Sequence, residues 1–186
     1  MIMSRSWNES DEEVWLSGLM DALGDRLTNL SFSYLKDWGK AQEVVQDVFF
    51  TCYKKRGHVL ELNSIEAWLY RVTVNRCKDV LRTSWVKKVI VNNELFLTQK
   101  SGQPSPEHEA VAKSEDERLA RLVLELPIKY KEVILLFYYE DLSVEEISYV
   151  LKSNPNTVKT RLKRGREALQ KSIERSGFLE RTNEGY

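Results

Sequence analysis

The chain has 186 residues, 42% of them hydrophobic, with 28 Lys and Arg balancing 28 Asp and Glu for a formal net charge of zero. This is a globular composition, long enough for one domain or two small ones. It holds no apolar run near the roughly 20 residues of a membrane span, and MIMSRSWNESDEEVW has no apolar segment behind its cations, so neither membrane insertion nor a secretory leader is expected and the protein should stay in the cytoplasm.

From the N-terminus onward the pattern is helical. EVWLSGLMDAL, LTNLSFSYL, AQEVVQDVFFTCYKK and SIEAWLYRVTVNRCKDVLR each repeat apolar residues at spacings of three and four. Cys52 and Cys77 sit far apart inside these patterns, which suits reduced thiols. In the fourth stretch Arg71, Asn75, Lys78 and Arg82 fall at i, i+4, i+7 and i+11, within about 60° on a helical wheel, with Ile65, Leu69, Val72 and Val80 opposite. The loop RGHVLELNS precedes it, and Phe49, Phe50, Tyr53, Trp68 and Tyr70 are near in sequence. Rings beside a cationic stripe suit unstacked bases. The same rings also suit a core, with the cations as solvated surface.

Between 91 and 114 the text changes to a polar stretch holding Gly102, Pro104 and Pro106, which reads as a flexible linker. Helical periodicity resumes at EDERLARLVLEL, and Pro127 fits the first turn of a helix running through IKYKEVILLFYYE. The fold class expected is all-α: two small helical domains, 9–90 and 115–175, joined by the 91–114 tether.

Next come two helices almost back to back. Ser143 and Glu146 form an S-x-x-E capping box that starts a helix at Val144, with Ile147, Val150 and Leu151 on its apolar side. Asn154 followed by Pro155 starts the second, whose stripe is Val158, Leu162, Gly165, Leu169 and Ile173. Asn156, Thr160, Lys163 and Arg164 point the other way, Thr157 and Lys159 flank them, and Arg161 falls nearer the apolar side, within reach of a phosphate through its length. Two helices joined by a turn of about three residues, the second polar at its start and cationic along it, describe a DNA-binding helix-turn-helix. An αα-hairpin with a solvated basic face has the same pattern.

The neutral total conceals segregated charge. Residues 54–90 carry 9 cations and 3 anions and residues 152–175 carry 8 and 2, whereas 1–53 carry 4 and 9 and 91–151 carry 6 and 12. Two basic blocks embedded in acidic surroundings suit two polyanion-facing surfaces, and from charge alone they suit two solvated helix faces equally well. His58 and His108 lack any metal-binding spacing, no phosphate-cradling glycine loop occurs, and no nucleophile has a matched base, so neither metal, cofactor nor catalysis is expected.

Several motifs in order give this chain a specific resemblance. AQEVVQDVF (41–49), WLYRVTVNRCKDVLR (68–82), LPIKYKEVILLFYYEDLSVEEISYVL (126–151) and TVKTRLKRGREAL (157–169) resemble the signature stretches of the sigma-70 family, in particular its extracytoplasmic-function (ECF) RNA polymerase sigma factors. The resemblance implies a region 2-like domain for core polymerase and the minus-10 promoter element, and a region 4-like domain whose recognition helix reads the minus-35 element. Carried over by motif position, Glu43, Gln46 and Asp47 would dock on polymerase. His58, Asn63, Arg71, Asn75, Lys78, Asp79 and Arg82 would meet the minus-10 strand, with the His58–Asn63 loop holding a flipped base. Asn156, Thr157, Lys159, Thr160, Arg161, Lys163 and Arg164 would meet the minus-35 duplex. The partners implied are core RNA polymerase, promoter DNA and an anti-sigma factor, with the free chain a monomer or bound 1:1 to that factor. Ser153 stands where the family has an apolar residue, Tyr130-Lys131 replaces an Arg pattern, and KDWGK replaces an acidic turn. A self-sufficient operator-binding regulator or a polymerase-docking adaptor are the competing classes.

Overall fold

The computed structural model describes residues 9–91 and 115–175, with side chains from 11 to 83 and from 118 to 175. Every element among them is a helix. The chain divides into two compact units, Met1–Val91 and Asn92–Tyr186. The tether expected between the domains lies outside the described residues, apart from Val91.

The first unit is built from α1 (Glu9–Leu35), α2 (Trp38–Lys54), the single turn α3 (Arg56–Val59) and α4 (Ile65–Val91). Helices α1, α2 and α4 pack on one another around Leu23, Leu27, Leu30, Val44, Val48, Phe49, Leu69, Tyr70, Val74 and Cys77. The corner between α1 and α2 explains the KDWGK segment. Lys36 takes a left-handed backbone, φ 56°, and its N–H closes on the Phe32 carbonyl at 2.9 Å. Asp37 then caps α2, its carboxylate accepting the Lys40 N–H at 3.0 Å, and Trp38 stacks on Phe32 with ring centroids 4.3 Å apart. The departure from the family's acidic turn is therefore still a capped turn, reinforced by an aromatic pair. Ser64 does the same for α4, accepting the Ala67 N–H at 3.1 Å.

The second unit comprises α5 (Glu115–Glu125), α6 (Ile128–Tyr138), α7 (Val144–Leu151) and α8 (Pro155–Arg175). Its core is Val123, Leu126, Val133, Ile134, Leu136, Leu142, Ile147, Val150, Val158 and Leu162. Pro127 sits at the N-cap of α6, one residue before the expected first-turn position; its extended ψ of 138° leaves its carbonyl free to accept from Tyr130 and Lys131. Helix α7 begins at Val144 behind the full capping box: Ser143 Oγ accepts the Glu146 N–H at 3.2 Å, and Glu146 Oε2 accepts the Ser143 N–H at 2.9 Å. The α7–α8 turn runs through Lys152 at φ 49°. Ser153 keeps it closed without an apolar side chain, donating its N–H to the Ser148 carbonyl at 3.0 Å while its own carbonyl accepts the Ser148 hydroxyl. Asn154 Oδ1 accepts the Asn156 N–H at 2.9 Å, and Pro155 opens α8.

Candidate nucleic-acid interface

Helix α8 is amphipathic because the sequence makes it so. Val158, Leu162 and Gly165 are buried against α6 and α7, so the residues between them must face outward. Asn156, Thr157, Lys159, Thr160, Lys163 and Arg164 are all exposed. Thr160 donates its hydroxyl to the Asn156 carbonyl at 2.8 Å, so it offers a methyl group and an acceptor outward. Lys159, Lys163 and Arg164 make no ion pair among the described residues. Arg161 differs: its Nη1 lies 3.1 Å from Oε1 of Glu132 on α6.

Asn156, Thr157, Thr160, Arg161 and Arg164 converge with Lys129 and Tyr130 of α6 on an open cleft of about 320 Å³. The sequence reading did not assign Lys129 or Tyr130 to this surface. The available signal was the IKYK start of α6, whose first turn lies beside the α8 face once Gly165 brings the two helices together. Lys129 Nζ sits 4.9 Å from the centroid of the Tyr130 ring, which fixes a cation at the cleft wall.

In the first unit the expected residues are more dispersed. Lys78, Asp79 and Arg82 are exposed on α4, and Arg71 and Asn75 are half-buried one to two turns earlier. Arg82 is 3.1 Å from Asp79, so part of the stripe neutralises itself. His58 and Asn63 are exposed on α3 and the loop after it. That segment is tied down by Arg56, 2.7 Å from Glu12 of α1 and stacked 4.9 Å above the Tyr53 ring. The guanidinium is held charged, its pKa raised chiefly by its hydrogen bond to Glu12. Glu43, Gln46 and Asp47 share one exposed side of α2, and Asp47 reaches toward Arg76 of α4 at 3.8 Å.

The aromatic cluster divides. Phe49, Trp68 and Tyr70 are buried core, so they have no face to offer a base. Tyr53 is half-buried beneath Arg56, and Phe50 alone of the five is strongly exposed, at 58%, with Lys54 Nζ 4.2 Å from its ring centroid. Cys52 and Cys77 are free and buried, and desolvation pushes both thiols up to about 11, so they are inert at neutral pH.

Two helical units, one ending in a capped helix-turn-helix with an exposed cationic face, are the architecture of a sequence-reading DNA-binding factor. The sigma-70 region 2 family model matches residues 19–86 and the sigma-70, region 4 model matches residues 116–169; the chain belongs to the sigma-70 family. Its relatives place it among RNA polymerase sigma factors of the ECF type. It is 28% identical over 172 residues to the ECF RNA polymerase sigma factor SigW of Bacillus subtilis (strain 168), covering 89% of this chain and 91% of that protein. It is 32% identical over 135 residues to the RNA polymerase sigma factor SigV of the same organism, covering 73% and 76%. The fold is shared with the sigma factor RpoE of Bartonella quintana, solved in complex with the anti-sigma factor NepR, at TM-score 0.66 and 19% identity over 87% of this chain and 98% of that one. It is also shared with CnrH, solved in complex with the cytosolic domain of CnrY, at TM-score 0.61 and 21% identity over 91% of each chain. As an ECF sigma factor the protein directs core RNA polymerase to promoters. No helix among the described residues is long and apolar enough to cross a membrane.

Proposed function

We propose a division of labour between the two units. Helix α8 lies in the major groove of the minus-35 element. Asn156, Thr157 and Thr160 at its N-terminal end approach base edges, and Lys159, Lys163 and Arg164 neutralise phosphates. Arg71, Asn75, Lys78, Asp79 and Arg82 of α4 face the minus-10 strand, with the His58–Asn63 loop beside them, and Glu43, Gln46 and Asp47 of α2 dock on polymerase. The protein acts in the cytoplasm and carries no chemistry of its own.

The observation that supports this best is the α8 face: three exposed cations without ion pairs among the described residues, interleaved with short polar side chains beside a single cleft. A solvated surface helix would gain from pairing such cations with carboxylates at i+4. Of the three, Lys163 alone has a carboxylate four residues on, Glu167, and the two form no ion pair; the other anion of α8 is Glu174. Segregated charge also keeps the free chain off bulk DNA, because nonspecific affinity rises steeply with the number of phosphates neutralised. Run-off transcription with core polymerase on genomic fragments tests the reading. Discrete start sites that require the added chain are expected. A chain that neither binds core polymerase nor directs a start site overturns it.

A second reading concerns control. Because RpoE was solved with an anti-sigma factor, this chain, which shares its fold, is proposed to be held 1:1 by a comparable protein when silent. Co-purification of the chain from its native cells, with a stoichiometric partner that blocks run-off transcription, is the expected outcome.

A further inference from the structure

Arg161 and Glu132 form an ion pair that joins α8 to α6. Glu132 belongs to α6, not to the recognition helix, and its side chain is only 6% exposed. Arg161 comes from 29 positions further along the chain, is 31% exposed, and lines the cleft together with Asn156, Thr157, Thr160 and Arg164. A carboxylate this deep is held by hydrogen bonds and opposite charge, and Arg161 supplies one such contact. A contact made to so buried an oxygen is screened less than an exposed pair, so it holds the guanidinium against α6.

The consequence lies in what remains of Arg161. A guanidinium has five N–H donors in a rigid planar fork. One nitrogen is held by Glu132, and Arg161 makes no other polar contact among the described residues. The remaining donors border the cleft. Lys159, Lys163 and Arg164 have no such anchor among the described residues, so each has rotamer freedom to lose when it meets DNA. Arg161 has lost that freedom already, in the folded protein.

We propose that Glu132 is a positioning residue for promoter readout: it holds Arg161 as an oriented donor aimed at base edges, where a mobile arginine would serve as one more phosphate cation. This rests on reading α8 as the minus-35 helix. Oriented arginine forks discriminate among bases, whereas phosphate contacts carry no direct sequence information. Glu132 would thus convert one of the α8 cations from affinity to specificity without touching DNA.

The test uses holoenzyme reconstituted from core polymerase and the full chain. Templates are those recovered with the wild-type protein from genomic fragments, each paired with a copy randomised around position minus 35. Glu132→Gln is expected to lower the ratio of transcription on intact over randomised templates about tenfold. It should leave output on the randomised templates within about twofold and make binding more salt-sensitive, by about one in the log–log slope, as the released Arg161 finds a phosphate. Arg161→Lys keeps the charge and loses the fork, so the ratio should fall similarly, and the double variant should fall no further than either single one. A purely structural role would lower both templates together, in step with thermal stability, and that outcome overturns the proposal. If Glu132→Gln does not fold, Arg161→Lys decides: a retained ratio overturns the proposal, and a tenfold loss supports it. If the wild-type protein recovers no template, the minus-35 reading itself fails and the proposal with it; a wild-type template with an unchanged variant ratio sinks only the role of Glu132.

Discussion

The candidate surfaces of the two units are built by different means. In the second, the candidate surface is nearly all one helix: residues 156–164 on the outer face of α8, with α6 supplying only a wall. In the first, the residues come from α2, the α3 loop and α4, and they are knit by ion pairs between elements distant in sequence, Arg56 with Glu12 and Arg76 with Asp47. A surface made by one helix follows from local periodicity, whereas a surface made by three segments depends on their packing. The first unit should therefore lose its surface when its core loosens, and the second should lose it when single side chains change.

The largest effects test whether the two cores are separate. Leu27 in the first unit and Leu162 in the second are both essentially fully buried. Truncating either to Ala should cost about 2–5 kcal/mol, as cavity-forming substitutions do. All five tryptophans lie within residues 1–91. Tryptophan fluorescence should accordingly register unfolding of the first unit alone, and circular dichroism at 222 nm the loss of helix in both. Leu27→Ala should move the fluorescence transition and Leu162→Ala should not. A fluorescence shift in Leu162→Ala would show that the units unfold together, and the comparison would collapse into one cooperative body.

Next come charge reversals on the two surfaces. Arg164 makes no ion pair among the described residues, while Arg82 is 3.1 Å from Asp79. Arg164→Glu should reduce promoter-dependent run-off at least tenfold and lower the salt slope of binding by about one. Arg82→Glu should cost less, because the pair already offsets that cation and exposed pairs contribute little to stability. Equal losses at both positions would mean that the Asp79 contact dissolves when DNA binds.

What the sequence made legible follows the same division. The outward face of α8 followed from Val158, Leu162 and Gly165 on its buried stripe, and the start of α7 followed from Ser143 and Glu146, because both are consequences of spacing within about a dozen residues. The Glu132–Arg161 contact was not legible, since it depends on α6 and α8 lying side by side. Spacing alone sets Arg161 near the apolar side of α8, with a phosphate within its reach. The aromatic stretch was ambiguous for the same reason: Phe49 and Phe50 are neighbours in sequence, and only the packing of α2 on α1 and α4 determines that Phe49 is core and Phe50 is surface. Pro127 was displaced by one residue because a proline fits the last extended position before a helix as well as the first helical one.

Helix caps give smaller and more readily separated effects. Ser143→Ala removes one half of the α7 capping box and should cost about 1 kcal/mol. Asp37→Ala removes the α2 cap and should cost about the same at neutral pH, with a pH signature of its own. The Lys40 backbone N–H and then its side chain hold the Asp37 carboxyl below its ordinary 3.8. A carboxylate whose folded pKa is depressed stabilises the fold above its unfolded value, and that contribution disappears as pH falls through the folded value. The stability gap between wild type and Asp37→Ala should hold from neutral pH down to about 4, then close at more acid pH; denaturant melts across this range measure it. A gap that stays constant into strong acid would remove the carboxylate from the explanation of the α1–α2 corner.

The smallest effect belongs to Gly165→Ala, at a position where α8 packs against Ile134 of α6. A Cβ built there would lie 3.1 Å from Ile134 Cγ1, 3.4 Å from its Cδ1 and 3.5 Å from Tyr130 Cβ. Two terms then oppose each other. Alanine is better than glycine inside a helix by about 1 kcal/mol, while forcing a methyl into a filled contact costs upward of about 1 kcal/mol when the neighbour is held. Ile134 is buried and cannot swing into solvent, but the needed retreat is only a few tenths of an ångström. Gly165→Ala should therefore change stability by less than about 1 kcal/mol in a denaturant melt. Gly165→Leu should cost about 1–3 kcal/mol, because no small retreat makes room for it, and it should push Tyr130 out of the cleft that Arg161 and Arg164 share. If Gly165→Leu is as neutral as Gly165→Ala, α8 is not seated on Ile134, and the surface that makes the second unit local loses its foundation.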